Sequence, residues 1–219
     1  MTGVVIALDS EAEAIFDCME IENIQTVYGK PVYFGKAFGK NILVAVCGVG
    51  KANAAAGACA AIAKGADTVL NFGTAGGLNA KTEVGEVYLI EKAVQYDFDL
   101  TQLNGGKIGT LNEETENYLP LFTPAKITLE RRALGTGDRF NDSPADYALL
   151  TKELGADVRD MEGAAVAQIC KSAGIPCVVV KAISDVYGAG STTEQFQKNL
   201  RRAMLNLKAE LGEIFSALD

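Results

Sequence analysis

The stretch "VRDMEGAAVAQICKSAGIPCVVVKAISD", Val158 to Asp185, decides the fold class. Its first part sets charged residues ahead of a small apolar run, Gly163 to Cys170, that reads as a buried helix. Its last part, "IPCVVVKAISD", is a continuous apolar run of the kind found in strands covered on both faces. A buried helix leading into a buried strand is the repeating unit of an α/β protein.

The same alternation runs along the chain. "GVVIAL" (Gly3–Leu8) predicts a strand followed by a helix in "DSEAEAIFDCMEI". Three short strand-like runs follow in "QTVYGKPVYFGKAFGKNILVAVC", and "GVGKANAAAGACAAIAKG" gives a glycine turn and an alanine-rich helix ending near Gly65. "ADTVLNF" is a further strand, leading to a glycine-rich loop, "GTAGGLNAKTEVGE", and another strand-like run, "VYLIEKAVQY". Residues 97–123 are polar and read as loop. Strands are expected again in "AKITLERRALGTGD". "SPADYALLTKELG" is a helix signed by Ser143 as cap, Pro144 at the first helical position and Gly155 at the end. Phe196, Leu200, Met204, Leu207, Leu211 and Ile214 recur at spacings of three and four, which predicts a long amphipathic helix over residues 193–218. With no repeat and no low-complexity linker, residues 1–219 are expected to form one α/β domain, built as three layers around a mixed, largely parallel twisted sheet.

The 219 residues are 48% hydrophobic and 22% charged, the balance of a globular protein, and the formal net charge is −8. That surplus of acid argues against a nucleic-acid partner, because phosphate contacts need Lys and Arg. No run reaches the length that crosses a bilayer, and the first apolar run ends at Asp9 and Glu11, unlike a signal peptide. The five cysteines lack paired spacing and read as reduced residues, so a cytoplasmic protein without a metal site or cofactor is expected. There is no histidine, which removes Ser-His-Asp and Cys-His catalysis. Acid and base chemistry is left to carboxylates, Lys, Tyr or Cys.

The glycine-rich loops narrow the ligand. "CGVGKANAAAG" follows a strand, but a dinucleotide fingerprint needs glycine where Asn53 stands, and a P-loop needs Gly at position 45 and Ser or Thr at 52, both alanine here. It reads equally as a turn that lets a small-residue helix pack close. "NFGTAGGL" places free backbone N–H groups and the Thr74 hydroxyl at a strand's carboxyl end, where open α/β sheets bind ligands. Three carboxylates also flank apolar strands: Glu11, Glu162 and Asp185. Each alone has a structural explanation, as a solvated first-turn residue, a helix-dipole partner beside the candidate cap Asp160, and a turn cap. Together they are placed to share one pocket.

In order and spacing, "GVGKANAA", "NFGTAGGL", "GTGDRF", "DMEGAA" and "KAISD" resemble the nucleoside phosphorylase and nucleosidase superfamily, over nearly the whole chain. Within it the sequence is most similar to the 5′-methylthioadenosine/S-adenosylhomocysteine nucleosidases. The resemblance implies hydrolysis of the N-ribosidic bond of a purine nucleoside. Asp185 would protonate N7 of the leaving base, with Ser184 orienting it. Glu162 would hold the ribose hydroxyls, Met161 would pack under the sugar and Glu11 would activate water. Phe140 would stack on the purine beside Asn141, whose backbone reads the base edge, and Val49, Thr74, Ala75 and Gly76 complete the expected lining. A homodimer or larger assembly is implied, with a neighbour's loop closing the 5′ end.

Two features bear on the exact reaction. Phosphate-using relatives need arginines in the first half of the chain, whereas none precedes Arg131 and Asn71 stands where such relatives can carry one. Water is therefore the expected nucleophile, with a phosphorylase as the alternative. Leu103, Asn104 and Gly105, and the polar segment "VYGAGSTTEQF", depart from the bulky wall expected around a thioalkyl group. A futalosine-type or other purine nucleosidase stays open on these grounds. A binding protein that keeps the pocket without activity is a separate class, and the presence of all three carboxylates argues against it.

Overall fold

The computed structural model describes residues 1–218. Strand β1 (Thr2–Ile6) lies wholly buried between two parallel neighbours, β4 (Lys40–Val46) and β5 (Thr68–Gly77). Beyond β4, the antiparallel hairpin of β2 (Met19–Val27) and β3 (Lys30–Ala37) carries the sheet to an exposed edge. On the other side β5 runs parallel to β10 (Cys177–Val186) along its whole length. Antiparallel to β10 is β6 (Val87–Gln95), followed in parallel by β8 (Arg131–Thr136) and β9 (Val158–Asp160). Strand β9 then pairs with Gly76 and Gly77 of β5, so this half of the sheet closes into a ring. The two-residue β7 (Leu119–Pro120) adds to β6.

Alternate residues of the central strands face opposite helical layers. Val5, Val69 and Val179 pack with α2 (Lys51–Ala63) and α5 (Gly163–Ala173). Val4, Leu70, Val178 and Val180 pack with α1 (Asp9–Phe16) and α6 (Thr192–Ala217). A sheet covered on both faces has no polar side to show, which is why its strands read as unbroken apolar runs. The architecture is three-layered with a mixed sheet, its parallel pairs in the middle. In α2 the small residues serve close packing: a Cβ at Gly57 would stand 2.6 Å from Cys47 Cβ.

The differences from the sequence reading are local. The helix after β1 stops at Phe16, and Met19–Ile21 already belong to β2. The strand at "ADTVLNF" does not give way to a loop at Gly73 but continues to Gly77, because the glycines leave room beside it: a Cβ at Gly77 would meet Thr82 Oγ1 at 2.3 Å. Residues 97–123 hold one helical turn, α3 (Thr101–Asn104), besides β7. The strand expected from residue 125 begins only at Arg131. Ser143 caps α4 (Pro144–Ala148) by accepting the Asp146 N–H, and a π-helical turn, Leu149–Glu153, prolongs it to the left-handed Gly155. No helix among the described residues is long and apolar enough to cross a membrane.

Candidate active site

The carboxyl ends of β1, β5 and β10 and the β9–α5 junction converge on a cavity of about 510 Å³. Glu11, on the first turn of α1, is buried because the helix starts directly after β1 and turns this face inward. Its Oε1 accepts from the Thr74 N–H at 2.7 Å and the Thr74 hydroxyl at 2.8 Å. Gly73 makes the approach possible, since a Cβ there would lie 2.9 Å from the same oxygen.

Glu162 occupies the N-cap position of α5 and is buried. It does not cap its own helix; Oε1 instead accepts the Gly50 N–H at 2.9 Å, and Oε2 the Met161 N–H at 3.3 Å. The cap proper is Asp160, which accepts the Gly163 N–H at 2.8 Å and the Thr136 hydroxyl at 2.6 Å. Asp160 also forms a buried ion pair with Lys181 at 2.8 Å. Burial first, then the Asp160 carboxylate, push Glu162 up to about 7, against the pull of Lys181 and the Gly50 N–H. Burial works against the charge of Lys181, yet Asp160, Glu162 and Glu11 around it hold the ammonium above the usual lysine value.

Asp185 follows a bulge in β10 that breaks the strand's alternation after Ile183 and turns the carboxylate inward beside Ser184. The Ser184 hydroxyl donates to Asp185 Oδ2 at 2.8 Å, and Asn199 of α6 donates to the Ser184 carbonyl at 3.0 Å. Burial lifts the Asp185 carboxyl above its ordinary range, opposed by the serine hydroxyl and by Arg159. A Cβ at Gly76 would stand 2.8 Å from Asp185 Oδ1 and 3.3 Å from Arg159 Nε, so glycine is what admits both groups.

The cavity thus brings together Glu11, Glu162, Asp185, Met161, Phe140, Ser184, Thr74, Ala75, Gly76 and Val49. Asn141 is the exception. Its side chain donates to Asp146 at 2.8 Å and accepts the Ser143 N–H at 3.1 Å, which holds it at the start of α4 and outside the lining. Asn71 is a buried structural residue that donates to the Val5 carbonyl. Leu103 of α3 is exposed and not part of the lining.

Arg139, Arg159, Phe196 and Gln197 also line the cavity, and no sequence argument of their own marks them as site residues. The signal for Arg139 and Arg159 was their position inside the "GTGDRF" and "VRDMEG" motifs. Phe196, which the spacing places on the core stripe of α6, meets Phe140 edge-on, with ring centroids 5.7 Å apart. A second groove, about 730 Å³, lies at the start of β6 and β8 between Lys81, Glu86, Glu130 and Arg132 and holds none of these carboxylates. No metal-binding group of His, Cys, Asp and Glu is found among the described residues.

The arrangement offers three buried carboxyl groups around a largely apolar chamber, one beside a proton-donating serine, one on backbone N–H groups and one on a threonine. That set suits a bond whose cleavage develops positive charge and whose leaving group needs a proton. Comparison with known proteins agrees. The chain is 31% identical to the 5′-methylthioadenosine/S-adenosylhomocysteine nucleosidase of Marinomonas sp., over 93% of each chain. It is 32% identical to the aminodeoxyfutalosine nucleosidase of Campylobacter jejuni, over 80% of each. The crystal structure of 5′-methylthioadenosine/S-adenosylhomocysteine nucleosidase from Neisseria meningitidis, in complex with methylthio-immucillin-A, superposes with a TM-score of 0.88 at 27% identity, covering 98% of this chain and 97% of that one. The futalosine hydrolase of Helicobacter pylori shares the fold with a TM-score of 0.89 at 24% identity, over 98% and 97%. The profile of the Phosphorylase superfamily matches residues 2–216, and the chain belongs to that family.

Proposed function

We propose that this protein is a purine nucleosidase that hydrolyses the N-ribosidic bond of a 5′-modified adenosine, of the methylthioadenosine or S-adenosylhomocysteine type. The observation that carries the reading is the meeting of Glu11, Glu162 and Asp185 in one cavity from three separate elements. A departing purine is a poor anion, so it needs a proton at N7. Asp185 supplies it, because burial keeps its carboxyl protonated further up the pH scale than a free aspartate. Ser184 orients that carboxyl.

As the bond breaks, the ribose becomes oxocarbenium-like. Glu162 accepts the ribose hydroxyls and, ionised, offsets the ring's charge, while Met161 packs beneath the sugar. Glu11 takes a proton from the attacking water, its orientation fixed by Thr74. Phe140 covers the base with Phe196 beside it, and Val49, Ala75 and Gly76 bound the chamber.

Water is preferred to phosphate on electrostatic grounds. A buried carboxylate at Glu11 repels a dianion and accepts a proton from a neutral nucleophile. Of the two arginines that line the cavity, Arg139 pairs with Asp146, and Arg159 lies by Gly76 and Asp185. The exposed Leu103 leaves the 5′ end without a wall from α3, which supports closure by a second copy of the chain.

The test is release of free base from methylthioadenosine, S-adenosylhomocysteine, aminodeoxyfutalosine, adenosine and inosine, with and without phosphate. Release without phosphate from the 5′-thio compounds is expected. A strict phosphate requirement makes the protein a phosphorylase, and binding without release makes it a nucleoside-binding protein.

A further inference from the structure

Glu162 takes a hydrogen bond from Gly50, whose peptide is held from two sides: within α2, the Asn53 side chain donates to the Val49 carbonyl at 2.7 Å and the Ala54 N–H donates to the Gly50 carbonyl at 2.9 Å. Gly50 is the N-cap of α2, has φ of +99°, and presents its N–H to Glu162 Oε1. A glycine cap has no side chain with which to fix the start of a helix, and besides Asn53 a second hold comes from another loop. Asp138, between β8 and α4, accepts the Lys51 N–H on Oδ1 at 2.8 Å. The fit is close, since a Cβ at Gly50 would stand 3.1 Å from that same oxygen.

Asp138 is anchored in turn. Its N–H donates to Asp97 Oδ2 at 2.9 Å, and Asp97 Oδ1 receives the Lys51 ammonium at 2.6 Å in a largely buried ion pair. Lys51 Nζ also reaches Gln95 Oε1 at 3.2 Å, and Gln95 donates to Gln168 at 2.7 Å. Gln168 lies on α5, the helix that Glu162 opens, so the chain of bonds returns to its starting point. Three loops, after β4, β6 and β8, are locked together behind one N–H.

We propose that Asp138 and Asp97 are positioning residues that hold the Gly50 N–H against Glu162, keeping that carboxylate ionised and aimed into the cavity. The rate effect rests on the nucleosidase reading; the effect on ionisation rests on geometry alone. The groups facing Glu162 are Asp160 on β9, Lys181 on β10, Glu11 on α1, the Cys47 thiol after β4, and the Gly50 and Met161 N–H groups. Of these, only the Gly50 N–H depends on Asp138. Its loss removes an interaction that favours the charged form, so Glu162 must titrate at higher pH.

Asp138 is exposed, and its truncation leaves the core untouched. The experiment compares wild type, Asp138→Ala and Asp138→Asn by carbon-13 NMR of side-chain carboxyl groups, with Glu162→Gln assigning the resonance. The Glu162 midpoint is expected to rise in Asp138→Ala and to stay near wild type in Asp138→Asn, which keeps an acceptor for the Lys51 N–H. With methylthioadenosine as substrate, kcat should fall about tenfold in Asp138→Ala, the scale of one hydrogen bond to a charged group, and recover in Asp138→Asn. An unmoved Glu162 midpoint in Asp138→Ala overturns the proposal, as does a moved midpoint with wild-type kcat. If wild type releases no base from any nucleoside, the nucleosidase reading fails, and the NMR midpoint alone decides whether Asp138 controls Glu162.

Discussion

One oxygen of Glu11 takes both hydrogen bonds that Thr74 can give it, from the backbone N–H and from the hydroxyl. Glu11 also lines the cavity, in keeping with the proposed role of a base that takes a proton from water. Glu11→Gln keeps the shape and loses the proton acceptor. Turnover should fall by about 10²–10⁴-fold, the usual contribution of a general base, with nucleoside analogues still bound. Steady-state rates and calorimetric affinities check this, and a near wild-type rate removes Glu11 from the chemistry.

Asp185→Asn should abolish cleavage of purine nucleosides while leaving affinity largely intact, because an amide cannot give a proton to N7. A riboside with a good leaving group, such as p-nitrophenyl riboside, needs no such proton. Its hydrolysis by the variant should persist, and equal loss on both substrates is the result that refutes the general-acid role.

Much of this site is legible in the sequence. The glycines of "NFGTAGGL" and the acids of "DMEGAA" and "KAISD" belong to short runs whose spacing fixes them at strand ends, and strand ends meet in this class of sheet. Lys181 and Asp160 were not legible as partners. They sit on β10 and β9, which are joined only through β5 and through the ring of β6 and β8, so their meeting depends on the closure of the sheet. A lysine inside the apolar run "VVVKAI" requires a buried anion, but nothing in the run says which acid it is. The glycine-rich strand end was misread as loop for a related reason: what fills the space beside Gly76 and Gly77 comes from Asp185, Arg159 and Thr82, all distant or across a turn.

Glu162 makes pH a direct probe. In its proposed role Glu162 holds the ribose in the ionised form, and it is pushed up to about 7, so the acid limb of kcat/KM should fall near that value and vanish in Glu162→Gln. Stability moves the other way. A carboxyl whose folded value is raised above its unfolded value of 4.5 binds more protons when folded, so its contribution is present below 4.5 and is lost as pH rises through about 7. Glu162→Gln should therefore be more stable than wild type at pH 8, by roughly 1–3 kcal/mol, and gain nothing at pH 4. Denaturant unfolding at the two pH values measures the difference, and a variant less stable at pH 8 contradicts the assignment.

Gly76→Ala tests the closeness of base and acid. Its methyl group would stand 2.8 Å from Asp185 Oδ1, and neither the strand backbone nor the bulged β10 offers an easy retreat. The carboxylate must shift, and a displacement of even one ångström at a reacting group costs on the order of 10²-fold in rate. The loss should appear in kcat for purine nucleosides and be much smaller for p-nitrophenyl riboside. Equal loss on both would mean that the whole cavity had collapsed, which the thermal midpoint reports independently.

Lys181 beneath the cavity provides the last test, because a buried cation is costly except where its partner is. Both side chains of the pair with Asp160 are nearly inaccessible. Lys181→Met removes the cation and leaves Asp160 charged, buried and bonded only to Thr136 and the Gly163 N–H. Loss of about 3–5 kcal/mol is the usual consequence of stranding one member of such a pair. Adding Asp160→Asn removes the stranded charge and should recover a large part of that loss, so the two changes will be far from additive. Activity will not recover with stability. With Lys181 gone, a cation that favours ionised Glu162 is gone as well, and the acid limb of the rate profile should lie above wild type in Lys181→Met. Additive stability losses in the double variant would show that the ion pair is not what secures this corner of the site.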